Sequence, residues 1–363
     1  MPTATTPAPP AALQGSAPEG AHLLGQTQAA LIAWARAQGA TEAAARVVAQ
    51  ALLAEATGRT RKASAGAPSR SLQGKASAHF SRALPGAEAI PDPDGTVRFA
   101  VTLHDGALVE TVLIHQEGRD TVCVSSQVGC RRGCVFCETG RLGLKRDLAA
   151  WEIVAQYALA ARYQQARGLP APGNVVYMGM GEPLDNLESV VASIDVLREH
   201  SGFAVAERRI TVSTVGIVPE MDALFSRTKA NLAVSLHALR PAVRKALLPV
   251  AHKWDLDVLR AAIARAPRTV LLQWTLIEGQ NDSAADADLL VRFCEGLDVR
   301  MNLIPLNPGP IAAQQAPSLE QCRAFQKRLL DAGLRVMLRL PHGQTVGGAC
   351  GQLAGARRAA QGR

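Results

Sequence analysis

Apolar runs of strand length alternate with stretches of helical periodicity over most of this chain. Parallel strands joined by crossover helices produce this alternation. The pattern therefore predicts an α/β fold, a partial (β/α)6 TIM-like barrel of about six units. The predicted strands are 120–126, 174–180, 208–214, 231–237, 269–277, 299–306 and 335–340. The predicted helices are 149–168, 187–199, 219–227, 255–266, 283–295 and 318–332.

Smaller elements are predicted before the repeating units. Residues 96–103 and 107–114 alternate apolar and polar side chains around an Asp-Gly pair, which indicates a β-hairpin. Residues 25–38 and 42–56 are predicted helices, and Thr41 can cap the second of them. The predicted organisation is a disordered tail over 1–22, a small helical accessory region with a basic loop over 23–94, a core domain over 95–357 and a tail over 358–363.

The basic loop lies between Gly58 and Gly86, where serine, glycine and proline are frequent and no acidic residue occurs. Such a segment is expected to be a mobile loop, either a solvated linker or a contact for phosphate groups. Its basic residues are Arg59, Arg61, Lys62, Arg70, Lys75 and Arg82.

Composition and charge indicate which kind of partner and which cellular compartment we expect. The formal net charge of +8 and the pI of about 9.4 favour a polyanionic partner. The seven cysteines are an odd number and no secretory leader precedes them, so we expect reduced thiols in the cytoplasm rather than a disulfide framework. No apolar run reaches the roughly 18 residues that cross a bilayer, so no membrane partner is expected.

Three cysteines follow the first predicted strand of the barrel. Cys130, Cys134 and Cys137 have the spacing C-x3-C-x2-C, with Phe136 before the last sulfur. Metal and cluster sites normally take four protein ligands, so three thiolates leave one position open, and on a 4Fe–4S cluster the open iron can bind a small molecule. A zinc site with a distant fourth ligand and chance clustering are the alternatives. The spacing and the aromatic residue resemble the radical S-adenosylmethionine (radical SAM) superfamily.

The other strand ends carry short polar residues, and in a barrel of this type the chemistry lies at the carboxyl ends of the strands. Gly181 and Glu182 follow the second strand, where radical SAM proteins use a similar segment to hold the α-amino group of SAM. Taken singly, the remaining residues are more often ordinary caps. The further candidate cofactor-binding residues are Ser213, Ser235, Leu236, His237 and Asn307.

Two cysteines outside the cluster motif also occupy distinctive places. Cys123 lies on the strand that leads into the cluster motif, and Cys350 lies between glycines in a loop after the last strand. That loop is expected to be mobile and to bring a thiol over the mouth of the barrel. Cys294 and Cys322 lie in apolar helical contexts and are expected to have no chemical role.

Together these segments resemble the bacterial adenosine-C2 RNA methyltransferases of the radical SAM superfamily, and their relatives that methylate adenosine C8. The resemblance covers roughly residues 95–357. The matching segments are Cys-Val-Ser-Ser-Gln-Val-Gly-Cys (123–130), Met-Gly-Met-Gly-Glu-Pro-Leu (178–184), Val-Ser-Leu-His-Ala (234–238), Asn-Leu-Ile-Pro-Leu-Asn-Pro (302–308) and Ala-Cys-Gly-Gln-Leu (349–353).

The resemblance implies a mechanism that uses two molecules of SAM per turnover. The first methylates Cys350, and the second, bound to the 4Fe–4S cluster, gives a 5′-deoxyadenosyl radical that abstracts hydrogen from the S-methyl group. The carbon radical then adds to the base, and Cys123 resolves the adduct by forming a disulfide with Cys350. Glu110 matches the general base of the family; without the resemblance it would be interpreted as an exposed carboxylate of the hairpin.

The resemblance also implies partners. We expect an RNA substrate, ribosomal RNA with transfer RNA as a further target, an electron donor such as flavodoxin or ferredoxin, and a monomeric enzyme. The segment after Cys137 is somewhat similar to the C8 branch, so methylation at C8 of 23S ribosomal RNA is an alternative. A non-catalytic iron–sulfur RNA-binding protein is a more remote one, because it would not need Glu110, Cys123 or Cys350.

Overall fold

The computed structural model describes residues 21–59, 66–116, 118–307, 314–340 and 342–353. Residues 1–20 of the predicted N-terminal tail, the predicted tail over 358–363, and Arg61 and Lys62 of the basic loop lie outside these residues. The described helices are α1 (Gln28–Ala37), α2 (Glu42–Thr57), α3 (Arg70–His79), α4 (Glu138–Arg141), α5 (Ala150–Gln165), α6 (Leu187–Arg198), α7 (Val218–Arg227), α8 (Pro241–Leu247), α9 (Leu256–Ala264), α10 (Ala284–Cys294) and α11 (Leu319–Asp331).

The strands of the described residues form two sheets. The strands are β1 (Gly86–Pro91), β2 (Val97–Thr102), β3 (Leu108–Gln116), β4 (Arg119–Cys123), β5 (Gln127–Cys130), β6 (Gly143–Asp147), β7 (Asn174–Tyr177), β8 (Ile210–Thr214), β9 (Asn231–Ser235), β10 (Val270–Leu276), β11 (Val299–Pro305) and β12 (Val336–Leu338). The larger sheet has ten strands in the order β1-β2-β3-β4-β7-β8-β9-β10-β11-β12, and the smaller sheet pairs β5 with β6.

The main sheet has a parallel part and an antiparallel extension. From β4 through β7 to β12 every neighbouring pair is parallel, whereas β1, β2 and β3 add to β4 in antiparallel fashion. Each of the seven predicted barrel strands and each of the six predicted crossover helices is present. The sheet has β1 and β12 as its edges, so it is open in the described part of the chain. These findings confirm an α/β fold of the partial-barrel type.

The core lies between the parallel strands and the crossover helices. Apolar side chains of β10, such as Leu272 and Trp274, are fully buried, and Trp274 donates its indole N–H to the carbonyl oxygen of Asn281 at 3.1 Å. Burying one large apolar side chain contributes about 1.5–3 kcal/mol. The packing therefore holds the strand ends rigidly, and the loops that follow them can carry chemistry.

The predicted basic loop is wrong for part of its length, because residues 70–79 form α3. Leu72 and Ala76, four residues apart, are buried, and Trp34 of α1 packs against His79 and Phe80 at the end of the helix. Leu72 and Ala76 lie on one side of the helix, and burying that side stabilises a segment whose serine and glycine content disfavours a helix. Tertiary packing therefore outweighs the low helix propensity of residues 70–79.

The accessory region packs on the core domain. His22, placed by the sequence in the disordered tail, is buried, and its ring stacks on Trp151 of α5 with centroids 4.2 Å apart. Arg59 of the predicted basic loop donates to the carbonyl oxygen of Gly202 at 2.7 Å. Arg82 forms an ion pair with Glu55 at 2.5 Å. These two cations therefore have partners within the protein. Of the helices that the structure describes, none has the length and apolar character to cross a membrane.

Candidate active site

The cluster motif lies on a small β-hairpin that sequence reasoning did not predict. β4 leads into β5, and Cys130 is the last residue of β5, paired with Gly143 at the start of β6. The two strands approach so closely that a Cβ on Gly129 would lie 1.9 Å from the carbonyl oxygen of Gly143. Gly129 also has a positive φ of 80°, so only glycine fits. The hairpin therefore fixes the start of the cysteine loop.

The three thiols of the motif line one cleft. This cleft encloses about 980 Å³, counting the part open to solvent. Burial raises the pKa values of Cys130, Cys134 and Cys137, that of Cys130 to about 12. Mutual repulsion between the thiolates adds to the rise for Cys130 and Cys134. Such thiols ionise readily only beside a strong positive charge, which the iron atoms of a cluster would supply.

These residues fit a cluster held by three cysteines. Nowhere in the described ranges do three His, Cys, Asp or Glu side chains surround the position of a single metal ion. A 4Fe–4S cluster, by contrast, gives each cysteine its own iron atom, so its ligands need not converge on one point. The cleft extends from the thiols to the strand ends, which leaves room for a ligand beside them.

The carboxylate that follows β7, Glu182, lines this cleft. Glu182 is 2 % exposed, and its side chain accepts hydrogen bonds from the backbone N–H groups of Leu184 at 3.1 Å and Val215 at 2.9 Å. Burial raises the pKa of Glu182 to about 7 despite these two bonds. Gly181 brings the backbone against β5, because a Cβ there would lie 2.7 Å from the Cβ of Gln127. A buried carboxylate of this kind suits a cationic partner such as an ammonium group.

Most of the predicted cofactor-binding residues meet at this cleft. Gly181, Glu182, Ser213, Ser235, His237 and Asn307 all line it. Leu236 is the exception: it is fully buried and does not line the cleft, so only its backbone could contribute. The carboxyl ends of β7, β8, β9 and β11 therefore converge as the barrel predicts.

His237 has an unusual environment. Its backbone is left-handed, with φ of 55°, and its Nδ1 accepts the backbone N–H of Thr275 at 2.9 Å. Burial lowers the pKa of His237 to about 3, and the nearby Arg244 contributes. The ring is thus neutral with its proton on Nε2, and it meets the ring of Phe136 edge to face, with centroids 4.9 Å apart. Phe136 therefore links the cluster loop to the end of β9.

Gln273 is a cleft residue that sequence reasoning missed. It lines the cleft from β10, accepts the hydroxyl of Ser213 at 3.2 Å and donates to the sulfur of Met178 at 3.5 Å. The available signal was a glutamine within the apolar run of β10, since a polar residue in a strand buried on both faces requires a partner.

The two cysteines outside the motif occupy opposite environments. Cys350 is exposed and lines the cleft, whereas Cys123 is buried on β4, and both are free thiols. Burial raises the pKa of Cys123 to about 12, and the charge of Cys350 contributes to the rise. The two sulfurs are therefore within electrostatic reach of each other.

Glu110 is not the exposed carboxylate that the hairpin pattern alone would indicate. It is 2 % exposed and forms a buried ion pair with Arg98 of β2. It does not line the cleft. Val112, two residues along β3 and therefore on the same face, lies beside Gly348 of the loop that carries Cys350. Glu110 thus lies on the face of β3 that contacts this loop at Val112.

Comparison with known proteins gives the family. Residues 124–290 match the radical SAM superfamily. A protein of Sorangium cellulosum described as a probable RNA methyltransferase is 47% identical over 278 residues, which are 76% of this chain and 70% of that protein. The chain belongs to the radical SAM RNA methyltransferase family. A dual-specificity RNA methyltransferase RlmN of Magnetococcus marinus is 42% identical over 274 residues, 74% of this chain and 77% of that protein.

A solved structure of the same kind agrees. A radical SAM methyltransferase from Sphaerobacter thermophilus superposes with a TM-score of 0.84 and 36% identity, covering 92% of this chain and 99% of that one. Membership of the family confirms the predicted enzyme class, a methyltransferase, and implies SAM and a 4Fe–4S cluster as cofactors.

Proposed function

We propose that this protein transfers a methyl group from SAM, through S-methylated Cys350, to C2 of adenosine in ribosomal RNA and transfer RNA. One observation carries the proposal: an exposed thiol lines the cleft that also holds the three cluster cysteines, and a second, buried thiol lies within electrostatic reach of it. The relatives named dual-specificity RNA methyltransferases support RNA as the substrate. The net charge of +8 suits a polyanion.

The residues of the cleft divide the work. Cys130, Cys134 and Cys137 would hold the cluster, and Glu182 would hold the α-amino group of SAM. When bound, the cluster and SAM would supply a 5′-deoxyadenosyl radical, with the electron coming from a flavodoxin- or ferredoxin-type donor. The remaining contacts to SAM would come from Ser213, Ser235, His237, Asn307 and the backbone of Leu236.

The chain's own chemistry concerns two thiols and one carboxylate. Cys350 would take the methyl group of a first SAM by displacement at its exposed sulfur, so that two SAM molecules are used per turnover. Cys123 would release the RNA by attacking the Cys350 sulfur: the disulfide forms as the bond from that sulfur to the methylene carbon breaks, and the carbon takes up a proton to become the methyl group. Glu110 would accept the proton lost from the adenine carbon, with Arg98 fixing its carboxylate on the face toward the Cys350 loop. Its burial keeps water away from that proton transfer.

The test uses anaerobically purified protein, a chemical reductant and RNA that lacks the modification, with nucleosides analysed by mass spectrometry against 2-methyladenosine and 8-methyladenosine standards. We expect 2-methyladenosine from the wild type. Cys350→Ala should leave RNA unmodified and free, because the methyl carrier is gone. Cys123→Ala should leave RNA covalently attached to the protein under denaturing conditions, because the adduct cannot be resolved.

Cys294→Ala is the matched control, since Cys294 lies in α10 and does not line the cleft. It should keep full activity. Formation of 8-methyladenosine would show that the target atom is C8 and not C2. Methylated RNA from Cys350→Ala would contradict the role of Cys350 as the methyl carrier. Binding of RNA by the wild type without any methylation would instead favour a non-catalytic RNA-binding protein.

A further inference from the structure

The loop that carries Cys350, residues 342–353, is tied to the antiparallel extension at its N-terminal side. Asp92 lies in the turn between β1 and β2, and its Oδ2 accepts the backbone N–H groups of Thr345 at 3.1 Å and Val346 at 3.3 Å. The hydroxyl of Thr345 donates to the same oxygen. Asp94 of this turn accepts the N–H of Gly343 at 2.9 Å. The turn therefore grips the start of the Cys350 loop.

A second set of contacts ties the loop to the cluster motif and to β11. The carbonyl oxygen of Gly351 accepts the N–H of Glu138 at 2.8 Å, and that of Leu353 accepts the hydroxyl of Thr139 at 3.0 Å. The side chain of Asn307 donates to the carbonyl oxygen of Cys350 itself at 3.1 Å. The loop is thus held on both sides of its thiol.

The two oxygens of Asp92 have different tasks. Oδ1 accepts the N–H of Asp94 at 3.1 Å and shapes the turn, while Oδ2 receives only donors from the Cys350 loop. Asp92 is 8 % exposed, and no ion pair with a cation is found for it in the described part of the chain. Hydrogen bonds to a buried carboxylate are stronger than those between neutral groups. The hydrogen bonds from the Cys350 loop therefore replace the water that would otherwise solvate this charge.

We propose that Asp92 is a positioning residue for methyl transfer: it holds the Cys350 loop so that the thiol stays over the cleft. Gly343, Gly347, Gly348 and Gly351 give this loop a large conformational freedom, so the sulfur would otherwise spend little time in line with the methyl group. Asp92 is more than 250 residues from its partners in sequence and does not line the cleft. The kinetic consequence rests on the proposed function, whereas the anchoring does not.

Asp92→Asn is the sharpest test, because an amide keeps one acceptor for the turn and replaces the other with an N–H₂ group that cannot accept from the loop. The assay measures S-methylation of Cys350 by SAM in the holoenzyme without RNA, with mass spectrometry as the readout. We expect this rate to be about ten-fold or more lower than in the wild type, the order expected for the loss of a charge-assisted hydrogen bond. The half-saturating SAM concentration and the iron content should not change, because neither site is touched.

Thr345→Val keeps the size of the side chain and removes one donor, so it should slow methylation less and leave the turn intact. Asp105→Asn is the matched control: Asp105 occupies the turn between β2 and β3 and pairs with Arg146, away from the Cys350 loop. It should methylate at the wild-type rate.

A readout without catalysis separates this proposal from the proposed function. Hydrogen exchange of the Thr345 and Val346 amides should be faster in Asp92→Asn than in the wild type, and iodoacetamide should alkylate Cys350 faster. Wild-type exchange and alkylation in Asp92→Asn would overturn the anchor. Faster exchange with an unchanged methylation rate would overturn the positioning role. A slower methylation that also occurs in Asp105→Asn, or that accompanies a loss of iron, would overturn it as well. A wild-type enzyme that never methylates Cys350 would refute the proposed function alone.

Discussion

The buried ion pair between Arg98 and Glu110 gives the most quantitative prediction. Their side chains are 8 % and 2 % exposed, so solvent screens the pair very little. The Nε of Arg98 has no hydrogen-bond partner in the described structure. Removing one member of a buried pair leaves an uncompensated charge, which costs about 3–5 kcal/mol. Glu110→Gln should therefore destabilise the protein by this amount.

The loss converts into a temperature that can be measured. Unfolding entropy is roughly 2 cal/mol/K per residue, which gives about 0.8 kcal/mol/K for this chain. The melting temperature of anaerobic Glu110→Gln should then fall by about 4–6 °C. Arg98→Met should produce a similar fall, since it removes the cation that pairs with the buried Glu110 carboxylate.

The double variant Arg98→Met/Glu110→Gln distinguishes a structural role of the pair from a chemical role of the carboxylate. Its stability should recover most of the loss, because replacing both members of a buried pair is often nearly neutral. RNA methylation should not recover, because the proton acceptor is absent. Additive losses in the double variant would show that the pair is not coupled, and restored methylation would refute Glu110 as the base. Asp288→Asn, which breaks an exposed pair with Arg328, is the control and should leave the melting temperature almost unchanged.

Two further predictions concern the cleft. Gly129→Ala should abolish iron binding, because its Cβ would collide with the Gly143 carbonyl oxygen. The measurement is the iron content per protein after reconstitution. Gly106→Ala is the control, also at positive φ but with no neighbour within 4 Å, and it should bind iron like the wild type. His237, with its pKa lowered by burial to about 3, contributes stability that is complete above its unfolded pKa of about 6.5 and is lost as pH falls. Between pH 7 and pH 5 the melting temperature of His237→Asn should therefore fall less than that of the wild type, and equal slopes would contradict a buried neutral ring.

The sequence by itself determined the features that depend on local pattern. The alternation of strand and helix predicted every parallel strand of the sheet, because apolar periodicity reports which side chains each element buries. The cysteine spacing and the polar residues at the strand ends predicted the lining of the cleft, since parallel strands place their carboxyl ends at one edge. Leu236 was the exception, because a residue at a strand end can point into the core.

Only the tertiary structure decided the contacts between distant segments. Packing made a helix of residues 70–79, and the close approach of Gly129 to β6 made the hairpin that carries the cluster motif. Local sequence predicts neither the ion pair of Glu110 with Arg98 nor the hydrogen bonds of Asp92 to the Cys350 loop. Each depends on which charged group meets which donor after folding, and neither composition nor periodicity encodes that geometry. Local pattern thus placed the reactive groups, and long-range packing determined how firmly they are held.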